Sequence, residues 1–381
     1  MSLNLYVAQI IGIAAVLLVL LRHQSWVLQA QVIVWSIATA TLASRFGLIE
    51  QLNFYSNDQH YHRDVVLTFS ENLWMIDVDW WRAVSRFPYT LPAVALYGVG
   101  IEPALALKTI SLVCLLLTTK DVLASIRPLT RKTAVFTLLL TACGTIGLFY
   151  SILALRETMM MLFTTRFVRS TSPTARLAVA LLLFGLRPHL AASLILGALI
   201  VWIYRHLRPQ KLETVLTVTT AIICGSLLGW WLFNYGIVFT SGIEGFFSHS
   251  WGISPITRIA SNYVGLQFLT VRSETVEFSL RSLLLLRLFL IETILIPCLF
   301  TLLILTRPHS LNQQRMLVVT SFAIYVGLVT NTDFNSFRQN IPFMPVMGLV
   351  ILAMTGSTPK ESARPRIANS RLPVAKRIKV S

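Results

Sequence analysis

Long apolar runs, separated by short basic connectors, constrain this chain more than any other feature in it. A helix needs about 20 mainly apolar residues to cross the hydrocarbon of a bilayer. Residues 3–21, 26–43, 133–152, 212–234 and 280–306 reach or approach that length. Only 13% of the residues are charged and 55% are hydrophobic. A soluble domain carries about 25% charged residues, so this chain has too few to cover a water-facing surface. Membrane barrel strands would alternate apolar and polar residues over segments of about 10, and these runs do not. In lipid each backbone polar group must be paired within its own segment, which leaves the helix. The predicted fold is therefore all-α: a polytopic transmembrane bundle of about 11 membrane helices, some short or broken. Interfacial amphipathic helices are expected in the first outer loop, where residues 65–87 mix Trp74, Trp80 and Trp81 with Glu71, Asp77, Asp79, Arg82 and Arg86.

The net charge of +16 is distributed in a way that sets orientation. Basic residues at Arg22, 120–132, 166–176, 205–211, 307–315 and in the tail alternate with the apolar runs so that all fall on one face. Basic connectors mark the cytoplasmic side. The expected topology has the N-terminus outside and the C-terminus cytoplasmic, in a multi-pass protein of a bacterial plasma or inner membrane. Residues 1–357 form the membrane-embedded domain, and 358–381 a basic tail expected to lack a fold. No basic domain stands apart from the spans, so nucleic acid is not an expected partner. No Lys or Arg precedes the first apolar run, so a cleavable signal peptide is not expected. Cys114, Cys143, Cys224 and Cys298 each lie within apolar sequence and without ligand spacing, as small core residues do.

This topology gathers the unusual polar residues on the outer face. The segment 53–63 brings Asp58, Gln59, His60, His62 and Arg63 between two apolar regions. Asp58 is read as lying in a loop on the membrane surface, where partial burial raises a carboxyl pKa toward that of a general base. Arg156 and Glu157 end one apolar run and precede a short helix. Glu157 is either a helix-start charge or a second carboxylate, and Arg156 an interfacial ion-pair partner or a phosphate ligand. Arg187-Pro188-His189 interrupts almost thirty apolar residues. Proline breaks the helix there, and an intramembrane arginine is a functional candidate by default. Arg287 and Glu292 lie within residues 280–306, and Arg338 stands at the mouth of the last span. Each can anchor its helix or hold a ligand.

Four of these pieces resemble motifs of the bacterial membrane glycosyltransferases of the C-type fold. They are Tyr55-Ser56-Asn57-Asp58-Gln59, Leu155-Arg156-Glu157-Thr158, Leu186-Arg187-Pro188-His189, and the segment 337–345 with Arg338, Pro342 and Pro345. They occur in the family's order and together span most of the chain. The resemblance implies transfer of a sugar from a polyprenyl-phosphate donor to a glycan, lipid or protein acceptor at the outer face. It implies Asp58 and, more weakly, Glu157 as catalytic carboxylates. It implies Arg156, Arg187, His189, Arg287, Arg338 and Gln59 as substrate-binding residues. No cofactor is assigned, and a divalent metal is left as an option. The chain departs from the family in three ways: residues 3–21 are an extra first span, no Asp-x-Asp surrounds Asp58, and only the basic tail follows the last span.

Two other readings use the same outward charges: an O-antigen-type polysaccharide polymerase and a lipid-linked sugar flippase. The bias of charge to one face counts against a transporter, and no internal repeat supports one. No Walker loop, dinucleotide turn, HExxH or GxSxG occurs, so nothing points to a nucleotide, zinc or serine-hydrolase enzyme.

Overall fold

The computed structural model describes residues 1–53, 58–71, 86–126, 131–207, 313–330 and 340–356. Among these the fold is all-helical. Residues 208–312 and 331–339 lie outside the described residues, and with them the expected spans 212–234 and 280–306, Arg287, Glu292 and Arg338. The basic tail and the tryptophan-rich part of the first outer loop lie outside them as well.

The helices in order are α1 (Leu3–Leu20), α2 (Trp26–Phe46), α3 (Asp58–Glu71), α4 (Phe87–Gly98), α5 (Pro103–Leu123) and α6 (Arg131–Leu140). They continue with α7 (Thr145–Ile152), α8 (Glu157–Arg169), α9 (Pro173–Leu186), α10 (Pro188–Leu207), α11 (Gln313–Thr330) and α12 (Met344–Gly356). Short 3-10 turns at Glu50–Asn53 and Ile341–Phe343 precede α3 and α12. Local sequence explains most of the starts. Ser2, Ser25 and Ser172 accept from the first-turn amides of α1, α2 and α9, as N-cap hydroxyls do. Glu102 caps α5, and Pro103 and Pro173 occupy first-turn positions where the missing N–H costs nothing. Gly47, at φ +89°, ends α2 in a backbone conformation that suits glycine.

α1 and α2 are long and apolar enough to cross a membrane. Ile11, Val16, Val19, Leu20, Ile33, Val34 and Ile37 face outward from them. Apolar faces of this kind suit contact with lipid. Shorter apolar helices run over Pro173–Leu186, Pro188–Ile203 and Ile341–Leu352. α5 is as long as α2 but carries Lys108, Ser111 and several threonines, and nearly all of it is buried.

α5 is the axis of the bundle. Leu105, Leu112 and Leu116 on one face meet Tyr6, Ile10, Trp35 and Ala43 of α1 and α2. Its other faces meet α4, α7 and α8. The main core continues through Met159, Met160 and Met161 of α8 to Leu183, Leu190, Phe322, Phe343 and Met347. Among the described helices, α10 and α11 form the most extensive pair. His189 meets Tyr325 at one end and Gly197 abuts Ser321 two turns further along α10, so the two helices run antiparallel.

Two expectations need correction. The run 133–152 is not one continuous helix. It divides into α6 and α7 at a turn over residues 141–144, where Ala142 takes a left-handed φ of 55°. Gly144 and the Thr-Ala-Cys stretch before it permit this break, and Gly147 then approaches Leu115 of α5 closely. Asp58, in turn, is not a loop residue. It opens the 14-residue helix α3, where an acidic side chain complements the helix dipole.

Candidate functional site

The Arg-Pro interruption builds the centre of the site. Pro188 has no N–H and forbids helical φ/ψ in the residue before it. Arg187 accordingly turns extended, at φ −158° and ψ 96°. Its N–H still closes α9 on the Leu183 carbonyl at 2.7 Å, and its own carbonyl accepts from Leu190 at 3.0 Å to start α10. The chain thus changes direction between two apolar helices while keeping the Arg187 backbone paired. The Arg187 side chain is only 7% exposed.

The break leaves the last carbonyl of α9 available, and Arg156 takes it. Arg156 Nη1 donates to the Leu186 carbonyl at 2.6 Å. This places the Arg156 guanidinium beside the α9 terminus, where a cation complements the helix dipole. Arg156 stands there because Ala154 adopts a left-handed φ of 54° just before α8 begins. That conformation costs a non-glycine residue on the order of 1 kcal/mol. Glu157, the first residue of α8, is fully buried.

Tyr325 of α11 joins these groups from a distant part of the chain. Arg187 Nη1 donates to its hydroxyl oxygen at 3.3 Å. The His189 ring stacks on the Tyr325 ring with centroids 5.6 Å apart. The Tyr325 hydroxyl senses the charges of Arg187, Glu157 and Arg156, and His189 those of Arg187 and Arg156. Four residues singled out in the sequence, Arg156, Glu157, Arg187 and His189, therefore share one cluster, and Tyr325 completes it. His189 Nε2 and the Thr158 hydroxyl are buried without a hydrogen-bond partner among the described residues. A buried polar atom so placed costs about 1–3 kcal/mol until something polar meets it.

Phe343, in the turn before α12, packs on Tyr325 at 5.2 Å between centroids. That turn also packs on α8, and Asn340 is buried at its start. Arg338 and Arg287 themselves lie outside the described residues.

α3 reaches the cluster through a chain of contacts. The His62 ring, one helical turn after Asp58, meets the Tyr89 ring edge-on at 5.3 Å. Tyr89 and Ser111 hydroxyls share a hydrogen bond at 3.0 Å, and Ser111 Oγ donates to the Leu155 carbonyl at 2.9 Å. Leu155 adjoins Arg156. Gln59 is fully buried, and neither its amide oxygen nor its amide nitrogen has a hydrogen-bond partner among the described residues. Asp58 is half-buried at the start of the same helix.

Sequence reasoning missed Tyr325, Tyr89, Ser111 and Lys108. The first three are ordinary residues in apolar runs and carry no periodic or motif signal. Lys108 did carry one: a lone charge within an apolar run is a functional candidate in a membrane helix. It is fully buried on α5, and its ammonium donates to the Gln51 side chain at 2.7 Å. Among the described residues no three His, Cys, Asp or Glu side chains converge as ligands for a metal ion.

Comparisons with protein-family models, with curated proteins and with solved structures return no match to this chain. The functional reading therefore rests on the sequence motifs and on the cluster itself.

Proposed function

We propose that this chain is a multi-pass membrane glycosyltransferase that takes a sugar from a polyprenyl-phosphate carrier, in a bacterial plasma or inner membrane. One observation carries the reading. Two guanidiniums, a buried carboxylate, an imidazole and a phenol converge at helix ends broken by Arg187-Pro188, within an apolar bundle. Broken backbone at membrane depth is tolerated where it lines a cavity or is buried in protein. Charged side chains at such a place mark a substrate path.

Arg156 and Arg187 suit the phosphate of a polyprenyl-linked sugar. As the sugar leaves, charge builds on the phosphate, where preorganised guanidiniums stabilise it most.

The reaction is a displacement at the anomeric carbon. The acceptor hydroxyl oxygen attacks that carbon, and the bond from carbon to phosphate oxygen breaks. The phosphate departs with the bonding pair toward Arg156 and Arg187, and the acceptor proton passes to the Asp58 carboxylate. Glu157, buried and next to Arg156 in sequence, is the second carboxylate of the site. Gln59 and His189 supply polar contacts to the sugar phosphate, and Arg338 and Arg287 are further candidates for the carrier. The exposed apolar faces of α1 and α2 sit in lipid, the N-terminus outside and the C-terminus cytoplasmic.

Mass spectrometry of the lipid that copurifies with the protein tests the reading. A polyprenyl monophosphate sugar is the expected finding, paired with sugar transfer in a reconstituted vesicle. A pyrophosphate-linked oligosaccharide that is extended in blocks would instead make the protein a polymerase. Passage of the intact lipid without transfer would make it a flippase.

A further inference from the structure

We propose that helix α1, through Gln9, is a positioning element for Asp58, acting with Glu102 and Lys108. The inference rests on the reading of Asp58 as the working carboxylate.

Gln9 projects from α1 onto the turn between α4 and α5. Its amide nitrogen donates to the Gly100 carbonyl at 2.8 Å, and its amide oxygen accepts from the Glu102 N–H at 3.1 Å. Both ends of one side chain are used, and the turn they clasp requires Gly100 at φ +92°. Glu102 then divides its carboxylate. One oxygen accepts from Leu105 N–H at 2.8 Å and caps α5, while the other faces Arg63 Nε at 3.6 Å. Arg63 is on α3, five residues after Asp58.

A second clasp holds the approach to Asp58. Lys108 and Gln51 are both fully buried. Gln51 lies in the 3-10 turn Glu50–Asn53, accepts from Lys108 Nζ at 2.7 Å and donates to the Leu48 carbonyl at 3.0 Å. Asp58 thus begins a helix tied to Glu102 through Arg63 on one side and preceded by a turn tied to Lys108 on the other. A buried lysine is a costly way to hold a turn, since an apolar residue of like volume often stabilises as well or better. Its use here fits a demand for exact placement.

The test is the reactivity of a thiol at position 58. All four cysteines are changed to alanine, Asp58→Cys is introduced, and the detergent-solubilised full chain is reacted with a maleimide. Gln9→Leu, Glu102→Gln and Lys108→Met are each expected to raise the labelling rate about tenfold, and the control Ile11→Ala, on the outward face of α1, to leave it unchanged. Glu102→Gln keeps an oxygen for the α5 cap and Lys108→Met removes a buried charge, so both fold. Rates within about twofold of the parent in all three variants would overturn the proposal. With Asp58 intact, transfer by these variants is expected to fall in kcat while the donor KM holds. If labelling responds but the wild-type chain transfers no sugar, the positioning role stands and the glycosyltransferase reading falls. If sugar is transferred at full rate by all three variants, the positioning role falls and that reading stands.

Discussion

Arg187 donates to the Tyr325 hydroxyl at 3.3 Å, joining the helix break to a helix 138 residues away in sequence. The bond ties this buried guanidinium to a second helix. Arg187→Met is expected to lower sugar transfer about 10²–10³-fold, the cost of removing one preorganised donor at a developing anion. Tyr325→Phe should cost about tenfold, and the double variant no more than Arg187→Met alone, because the tyrosine acts through the arginine. Arg187→Lys should not restore activity, since an ammonium lacks the planar fork. Rates of the four proteins in one reconstituted assay check the relationship.

The antiparallel pair α10 and α11 holds His189 and Tyr325 in register. At Gly197 an added Cβ would run into the Ser321 hydroxyl and come within 3.0 Å of its Cα. Gly197→Val should cost about 1–3 kcal/mol by overpacking and also reduce transfer, although position 197 is two turns from His189. Ser321→Gly in the same chain should recover part of both. Thermal unfolding in detergent and the transfer rate give the two readouts.

Ser111 carries the contact between α3 and the start of α8. In Ser111→Ala the buried Leu155 carbonyl loses its donor at 2.9 Å, a loss of about 1–3 kcal/mol. A lower unfolding midpoint is expected. Tyr89→Phe should give a smaller shift, because Ser111 keeps its bond to Leu155.

Ala154 stores strain next to Arg156. Glycine tolerates φ 54° without penalty, whereas a β-branched residue does not. Ala154→Gly should therefore retain transfer, and Ala154→Val should lower both the unfolding midpoint and the activity. Equal behaviour of the two would show that the left-handed turn is not what sets Arg156.

Sequence and structure agree most where the signal is chemical and local. The Arg187-Pro188 break follows from proline geometry alone, and the structure shows it with Arg187 extended. The start of α8 at Glu157 is equally visible in residue type. The helical character of the described residues follows from the length and composition of the apolar runs. What the sequence does not reveal is which helix ends meet. Tyr325 enters the cluster through tertiary packing, and nothing in a Tyr within an apolar run announces it. The division of 133–152 into two helices depends on a turn at Ala142 that propensity does not foretell. Asp58 reads as a loop residue because Ser-Asn-Asp favours turns, yet the same residues also suit the start of a helix, and α3 begins there.

Sugar transfer by Asp58→Asn, measured alongside the lipid it retains, tests the account most directly. Asparagine fills the same space and cannot take a proton. The expected result is a folded, membrane-inserted protein that still copurifies with polyprenyl phosphate sugar and transfers it at least about 10²-fold more slowly than the parent. Transfer at the parental rate, with the lipid bound as before, would contradict the role given to Asp58 as the base.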